Sequence, residues 1–202
     1  MNRAFYKIFA DYQETSVRYD AEHQAVWCYY KPGSNPYFSL KMLQELRQTQ
    51  QNIIDYFGTK KTDINLPIRY VVLYSQVSGV FSLGGDLALF SKLIKEKNRE
   101  QLLDYAKKCV DICYLNSVNM HLPVTTISMV EGLALGGGFE SALSGNILVA
   151  SEDAEMGFPE IRFNLFPGMG AYSLLTRRSG RAIAEKMILS GATYSGKQLY
   201  EM

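Results

Sequence analysis

The chain has 202 residues, a length that suits one domain of ordinary size or most of a larger one. Hydrophobic residues make up 47% and charged residues 20%, and the 21 Lys and Arg offset the 20 Asp and Glu to a net charge of +1. This balance argues against a nucleic-acid binder that neutralises phosphates, because such proteins carry a basic excess. We expect a single globular domain over residues 1–202.

The cysteines and the apolar runs disfavour further classes of protein. Cys28, Cys109 and Cys113 are too few for a secreted disulfide framework. Cys109 and Cys113 could form a metal pair on a predicted helix, but two small apolar residues on one helix face are the better interpretation, and no metal site is predicted. The apolar run within residues 1–10 is too short for a signal peptide, and no stretch approaches the roughly 20 residues of a membrane span. We therefore expect a reduced, cytoplasmic, soluble protein.

The predicted elements alternate between strands and helices. In chain order they are strands at 16–19 and 25–30, a helix at 38–57, a strand at 68–74, helices at 87–95 and 100–121, a strand at 125–130, a helix opening at 139–143, a strand at 147–150, and helices at 168–178, 182–189 and 196–202. This alternation predicts an α/β fold. The last helix reaches the final residue without a capping signal, so we expect the natural protein to continue beyond it.

Two glycine clusters each follow a predicted buried strand. They lie at 82–87 (SLGGDL) and 132–140 (GLALGGGFE). Glycine lets a ligand approach the backbone closely, and a helix start presents unpaired N–H groups. Two such turns facing each other would offer two donors to one carbonyl oxygen, which is an oxyanion hole. Either cluster alone is better interpreted as a tight turn, but the pair, with acids after the second, favours the oxyanion hole.

Nucleotide-binding motifs are absent or incomplete. Neither glycine cluster contains the G-x-G-x-x-G pattern of dinucleotide-binding proteins. The segment 191–198 nearly matches a P-loop, but Gln198 stands where a Ser or Thr would hold Mg²⁺. A predicted helix, rather than a strand, precedes it. A nucleotide hydrolase is therefore disfavoured.

Two glutamates supply the candidate acid and base. Glu140 directly follows the triple glycine, and Glu160 comes 20 residues later in an apolar context that includes Phe158 and Ile161. Apolar surroundings disfavour the charged form of a carboxyl group and raise its pKa. Two carboxyl groups in different environments suit acid–base chemistry. Taken alone, Glu160 would be better explained by an ion pair with Arg162 or another arginine.

Together these residues resemble the crotonase (enoyl-CoA hydratase/isomerase) superfamily, which carries both glycine segments and a P-E segment about 20 residues after the first acid. The resemblance implies a spiral of β-β-α turns. It also implies that the N–H groups of Gly85 and Gly137 form the oxyanion hole, and that Glu140 and Glu160 are the hydratase acids. No separate cofactor is implied, because CoA or phosphopantetheine enters as part of the substrate.

A narrower resemblance lies in the segments 81–90 and 164–173, which are similar to the bacterial diffusible-signal-factor synthases. These enzymes dehydrate a 3-hydroxyacyl group on acyl carrier protein to a cis-2-unsaturated fatty acyl group and release the acid by thioester hydrolysis. Candidates for the acyl pocket are Phe139, Leu165, Phe166 and Met169, for which plain core positions are an equally good interpretation.

Two other functions stay open on the sequence. One is a generic enoyl-CoA hydratase or isomerase, and the other is a non-catalytic relative that binds acyl thioesters or serves in an assembly. The implied partners are acyl-CoA or acyl carrier protein, with no nucleic acid. Members of the family continue into C-terminal helices that close the acyl pocket and build homotrimers. We therefore expect a homotrimer for a full-length protein and poor activity from the chain that ends at Met202.

Overall fold

Short strands and connecting helices form two sheets in the computed structural model, which describes residues 8–58 and 68–202. Most of the N-terminal segment considered for a signal peptide therefore lies outside the described residues. The strands are β1 (Thr15–Asp20), β2 (Ala25–Tyr30), β3 (Tyr70–Ser75), β4 (Val80–Ser82), β5 (Thr125–Val130), β6 (Leu133–Leu135), β7 (Ile147–Ala150), β8 (Glu155–Gly157) and β9 (Thr193–Ser195).

Seven α-helices lie among the described residues. They are α1 (Leu40–Gly58), α2 (Leu87–Lys95), α3 (Arg99–Ser117), α4 (Gly137–Ser144), α5 (Ala171–Ser179), α6 (Arg181–Ser190) and α7 (Gly196–Tyr200), with 3₁₀ turns at Asn119–His121 and Pro159–Phe163. Within the same described part, no helix has both the length and the apolar character needed to cross a bilayer.

The chain passes repeatedly from one sheet to the other. The larger sheet has the order β1-β2-β3-β5-β7, and the smaller has the order β4-β6-β8-β9. Each of the successive pairs β3–β4, β5–β6 and β7–β8 contributes one strand to each sheet, and these strands pair in parallel with those of the next turn. This repetition confirms the predicted α/β spiral.

Helix α4 is the centre of the packing. All eight of its residues are buried, which explains why its sequence, GGFESALS, consists mainly of small and apolar residues. Phe139 packs against Phe158 at a ring-centroid distance of 5.0 Å within a cluster that also holds Phe81 and Met156. The start of α4 is thereby fixed beside the ends of β4 and β6.

The structure corrects several predicted boundaries. The helix predicted to reach residue 121 ends at Ser117, because Asn119, Met120 and His121 have positive φ angles of 52–56°. The predicted strand at 68–74 begins at Tyr70, and the predicted helix at 168–178 begins at Ala171. The sequence pattern does not indicate β4, β6, β8 and β9, and of these short strands β4 and β6 overlap the two glycine clusters.

A buried carboxylate ties the start of β1 to α1. Glu45 is 3% exposed, and its Oε2 accepts hydrogen bonds from the N–H groups of Glu14 and Thr15 and from the Thr15 hydroxyl at 2.9–3.0 Å. Its Oε1 accepts from the Gln13 N–H at 3.1 Å. A carboxylate accepts hydrogen bonds at both oxygens, whereas a carboxamide turns an NH₂ group toward one of these donors.

Glu45→Gln is accordingly expected to lower the free energy of unfolding by about 1–3 kcal/mol, because one buried N–H loses its acceptor. Chemical denaturation of both proteins measures the difference. The matched control is Glu22→Gln, at an exposed position in the β1–β2 turn, and should change stability by less than about 0.5 kcal/mol. Equal stability of Glu45→Gln and the parent protein would contradict this account of the β1–α1 contact.

Candidate active site

The two glycine clusters lie side by side. A Cβ atom placed on Gly84 would lie 2.8 Å from the Gly137 nitrogen, and one placed on Gly137 would lie 3.6 Å from the Gly85 nitrogen. Because a Cβ lies about 2.5 Å from its own nitrogen, the Gly85 and Gly137 nitrogens are at most about 6 Å apart. One oxygen atom between them can reach both at hydrogen-bond distance.

The N–H groups of these two glycines are available to a ligand. In the part of the chain that the structure describes, neither the Gly85 N–H nor the Gly137 N–H donates to a protein acceptor, although the neighbouring Gly84 and Gly136 N–H groups do. Gly137 is the first residue of α4, where a backbone N–H has no partner within the helix. The arrangement can therefore stabilise negative charge on a bound oxygen.

Glu140 reaches the same region from the first turn of α4. Its side chain is buried, and its Oε1 accepts hydrogen bonds from the N–H groups of Met169, at 2.6 Å, and Ala171, at 2.9 Å. Burial raises the pKa of Glu140 to about 7, with a smaller contribution from the negative charge of Glu160, while the backbone N–H groups act in the opposite direction. The group can therefore gain or lose a proton near neutral pH.

Glu160 lies on the 3₁₀ turn after β8, next to the residue that precedes α4. A Cβ on Gly136 would lie 2.5 Å from the Glu160 Oε1. The Glu160 Oε2 is buried and has no hydrogen-bond partner among the described residues, and the ion pair with Arg162 that the sequence left open is not formed there. Burial raises the pKa of Glu160 as well. An unpaired carboxyl oxygen of this kind is free to exchange a proton with a bound molecule.

The four acyl-pocket candidates lie in three different environments. The Met169 sulfur lies against Gly137, since a Cβ there would be 2.7 Å away, and Met169 also packs on the cluster that holds Phe38. Leu165 and Phe166 are exposed, the latter by 81%. Phe139 is 1% exposed and lies in a core cluster, the environment that the plain-core interpretation predicts.

Sequence reasoning overlooked Gly136 and Asp86. Gly136 precedes the two glycines of α4 with φ 55° and ψ −125°, a conformation that side chains disfavour. Asp86 is the N-cap of α2, where its Oδ1 accepts the Leu89 N–H at 2.9 Å. An aspartate before an apolar helical pattern is the signal that could have identified this cap.

The two cysteines of α3 lie behind the site. Cys109 and Cys113 are buried, and burial raises the pKa of the Cys109 thiol to about 12. Within residues 8–58 and 68–202, no group of three or more His, Cys, Asp or Glu side chains could hold a metal ion.

Comparison with known proteins adds independent evidence. A family model described as "Enoyl-CoA hydratase/isomerase" matches residues 38–202. The human mitochondrial methylglutaconyl-CoA hydratase is 34% identical over 131 residues, which cover 65% of this chain and 37% of the relative. The mouse mitochondrial enoyl-CoA hydratase domain-containing protein 2 is 33% identical over 165 residues, covering 81% of this chain and 47% of the relative. The chain thus spans less than half the length of these two relatives.

Solved structures share the fold over almost the whole chain. An enoyl-CoA hydratase from Bacillus anthracis superposes with a TM-score of 0.76 and 26% identity, covering 94% of this chain and 67% of the other. DspI from Pseudomonas aeruginosa superposes with a TM-score of 0.77 over 96% of this chain and 72% of its own, at 22% identity, a level that shows the fold alone.

Proposed function

We propose, since the chain belongs to the enoyl-CoA hydratase/isomerase family, that it adds or removes water across the C2–C3 bond of an acyl thioester. Glu140 and Glu160 transfer the protons, and the N–H groups of Gly85 and Gly137 bind the thioester oxygen. The observation that carries this proposal is the meeting of two carboxyl groups with raised pKa values and two adjacent, unpaired backbone donors.

The residues divide the reaction between them. Hydrogen bonds from Gly85 and Gly137 draw electron density onto the thioester oxygen, which acidifies the C2 proton and stabilises the enolate-like charge that forms. In the dehydration direction one carboxylate takes the C2 proton. The electron pair of that C–H bond forms the C2–C3 double bond as the C3–oxygen bond breaks, and the other carboxyl group protonates the departing hydroxyl to water. Two neighbouring carboxyl groups that share one proton supply both functions.

The substrate in this proposal is a medium- or long-chain 3-hydroxyacyl group on a carrier protein. The similarity of segments 81–90 and 164–173 to the diffusible-signal-factor synthases supports this choice. The same N–H pair can stabilise the tetrahedral intermediate of thioester hydrolysis, in which water attacks the carbonyl carbon and the thiol leaves. The water released by dehydration balances the water consumed by hydrolysis, so the net products are the carrier thiol and a free 2-unsaturated fatty acid.

A generic enoyl-CoA hydratase or isomerase is the second candidate function. It is favoured by two relatives 33–34% identical to this chain, one named as a methylglutaconyl-CoA hydratase and the other as an enoyl-CoA hydratase domain-containing protein. This reading predicts rapid hydration of a short enoyl-CoA and no release of acid. It uses the same four groups at the site, so geometry alone does not separate it from the first.

The purified full-length protein, incubated separately with 3-hydroxydodecanoyl-carrier protein and with crotonyl-CoA, distinguishes the candidates. Mass spectrometry should detect dodecenoic acid only with the first substrate. Each buried CH₂ contributes about 0.8 kcal/mol, so a deep acyl site favours the longer chain by orders of magnitude.

Each other outcome overturns part of the proposal. Fast hydration of crotonyl-CoA without free acid would leave the generic hydratase. Enoyl-carrier protein without free acid would remove the thioesterase step. Binding of both thioesters without turnover would leave a non-catalytic relative.

A further inference from the structure

A buried tyrosine hydroxyl bridges two backbone segments beside the oxyanion site. Tyr105, on α3, is 2% exposed. Its hydroxyl donates a hydrogen bond to the Phe38 carbonyl at 2.6 Å and accepts one from the Asp86 N–H at 3.1 Å. Phe38 and Asp86 lie 48 positions apart in the sequence, and Tyr105 lies on a third element. A single side chain therefore fixes the residue that directly follows Gly85.

The segment 36–38 runs alongside the first glycine cluster as a short parallel partner. The Leu83 N–H donates to the Pro36 carbonyl at 2.6 Å, and the Phe38 N–H donates to the Gly84 carbonyl at 2.8 Å. The Gly84 carbonyl and the Gly85 N–H belong to one planar trans peptide and point in opposite directions. Because the Phe38 N–H holds the Gly84 carbonyl, the Gly85 N–H points away from Phe38.

Tyr105 completes this arrangement on the other side of Gly85. The Asp86 N–H belongs to the next peptide plane, and it donates to the Tyr105 hydroxyl at 3.1 Å, beside the parallel bridge that pairs Phe38 with Gly85. Both peptide planes that flank the Gly85 Cα are thus held, one by Phe38 and one by Tyr105. Glycine is otherwise the residue with the greatest backbone freedom, so the direction of its N–H depends on such contacts.

The tyrosine ring is itself fixed. Phe90 packs edge-on against it at a ring-centroid distance of 5.0 Å and an angle of 86°. The Phe90 ring also lies close to Gly85, because a Cβ there would be 2.8 Å from a ring atom. Burial raises the pKa of the Tyr105 phenol, so that the hydroxyl keeps its proton and donates to Phe38 throughout the neutral range.

We propose that Tyr105 is a positioning residue for the oxyanion hole, and that its hydroxyl keeps the Gly85 N–H directed at the spot it shares with Gly137. The inference rests on the proposed function. An oxyanion donor acts by being oriented before the charge develops, so a donor free to turn stabilises the transition state less. Tyr105 touches neither the substrate oxygen nor the two acids in this account.

Tyr105→Phe removes only the hydroxyl and is the direct test. We expect kcat for the acyl thioester to fall about tenfold, with KM changed less than about twofold, since the lost interaction acts mainly in the transition state. The infrared carbonyl stretch of a bound ¹³C-labelled thioester should shift less toward low frequency than in the parent protein. Amide exchange of the Asp86 N–H should become faster. A merely structural role would lower stability without moving the carbonyl stretch or separating kcat from KM.

Tyr30→Phe is the matched control. Tyr30 belongs to the same buried cluster, but its hydroxyl lies near Ser141 and makes no hydrogen bond to Phe38 or Asp86. Its removal should leave kcat and the carbonyl stretch unchanged. Turnover of Tyr105→Phe equal to that of the parent protein would overturn the inference and leave the proposed function standing.

Absent turnover in the parent protein has a different meaning. In the full-length protein it would overturn the proposed function, while exchange of the Asp86 amide would still decide whether Tyr105 holds the turn. Rapid exchange of that amide in the folded parent protein would overturn the inference even if Tyr105→Phe did not fold.

Discussion

Glu140→Gln and Glu160→Gln are each expected to lower the rate of dehydration by roughly 10²-fold or more while the protein stays folded. Glutamine has nearly the shape of glutamate but neither gives up nor takes a proton at neutral pH. Each replacement removes one of the two proton-transfer groups and leaves the Gly85 and Gly137 donors in place. Initial rates at saturating substrate measure the loss in kcat, and circular dichroism checks the fold.

The control for both replacements is Glu155→Gln. Glu155 lies on β8, the strand that leads to Glu160, but its side chain is exposed. The dehydration rate of Glu155→Gln should equal that of the parent protein. Undiminished turnover in Glu160→Gln would remove Glu160 from the mechanism, and the same result in Glu140→Gln would reduce that residue to a structural role.

Glu140→Gln should also change stability, in a direction that depends on pH. The pKa of Glu140 is raised from 4.5 to about 7 in the folded protein. The folded state therefore binds the proton more tightly, and the stability that this provides is complete below pH 4.5 and is lost as the pH rises through 7. Glutamine carries no such dependence and still offers an acceptor to Met169 and Ala171. At pH 8 the variant should be more stable by up to about 3 kcal/mol, as denaturation at several pH values would show.

Gly136→Ala is the second replacement with a large expected effect. At φ 55° and ψ −125° an alanine is strained, and its Cβ would lie 2.5 Å from the Glu160 Oε1. The carboxyl group must move away. We expect turnover to fall by roughly 10²-fold, as for loss of Glu160 itself. Stability should fall by about 1–3 kcal/mol, because the backbone is held in a sparsely populated region.

Alanine replacements at two other glycines serve as controls that separate the effect of backbone strain from that of the contact with Glu160. Gly33 has φ +79°, but a Cβ there would have open space around it, and Gly168 has open space without a positive φ. Gly33→Ala should cost about 1 kcal/mol of stability with no loss of turnover, and Gly168→Ala should change neither. If Gly136→Ala were as active as Gly33→Ala, the present position of the Glu160 carboxyl group would not be required for turnover.

Elements whose side-chain pattern or flanking residues mark both ends could be predicted from the sequence with accurate bounds. The helix at 87–95 and the strands at 25–30, 125–130 and 147–150 agree with the structure to the residue. Each of the four strands of the smaller sheet is three residues long, too short to show an alternating pattern. These strands are stabilised by pairing with strands that are distant in the sequence, and the local sequence does not indicate such pairing.

The candidate site divides in the same way. Gly85, Gly137, Glu140 and Glu160 could be named as candidates from the sequence because they lie in recognisable segments. Tyr105 was missed because its role depends on backbone groups 19 and 67 positions away, and a tyrosine on an amphipathic helix is ordinarily a core residue. The environment of Phe139 was equally hidden, since an aromatic residue after a glycine turn can face either a pocket or the core.

Glu140 has a structural role in addition to the proton transfer proposed for it. Its carboxyl oxygen accepts the N–H groups of Met169 and Ala171 and thus takes the place of a cap at the start of α5, whose preceding residue, Gly170, has no side chain to do so. A helix start favours a negatively charged or hydrogen-bond-accepting partner. Moving the carboxyl group of Glu140 to another position, or replacing Glu140 with the shorter aspartate, also removes the acceptor at the start of α5. Any redesign of the acid at this position must therefore include a new acceptor for α5, designed together with the chemistry.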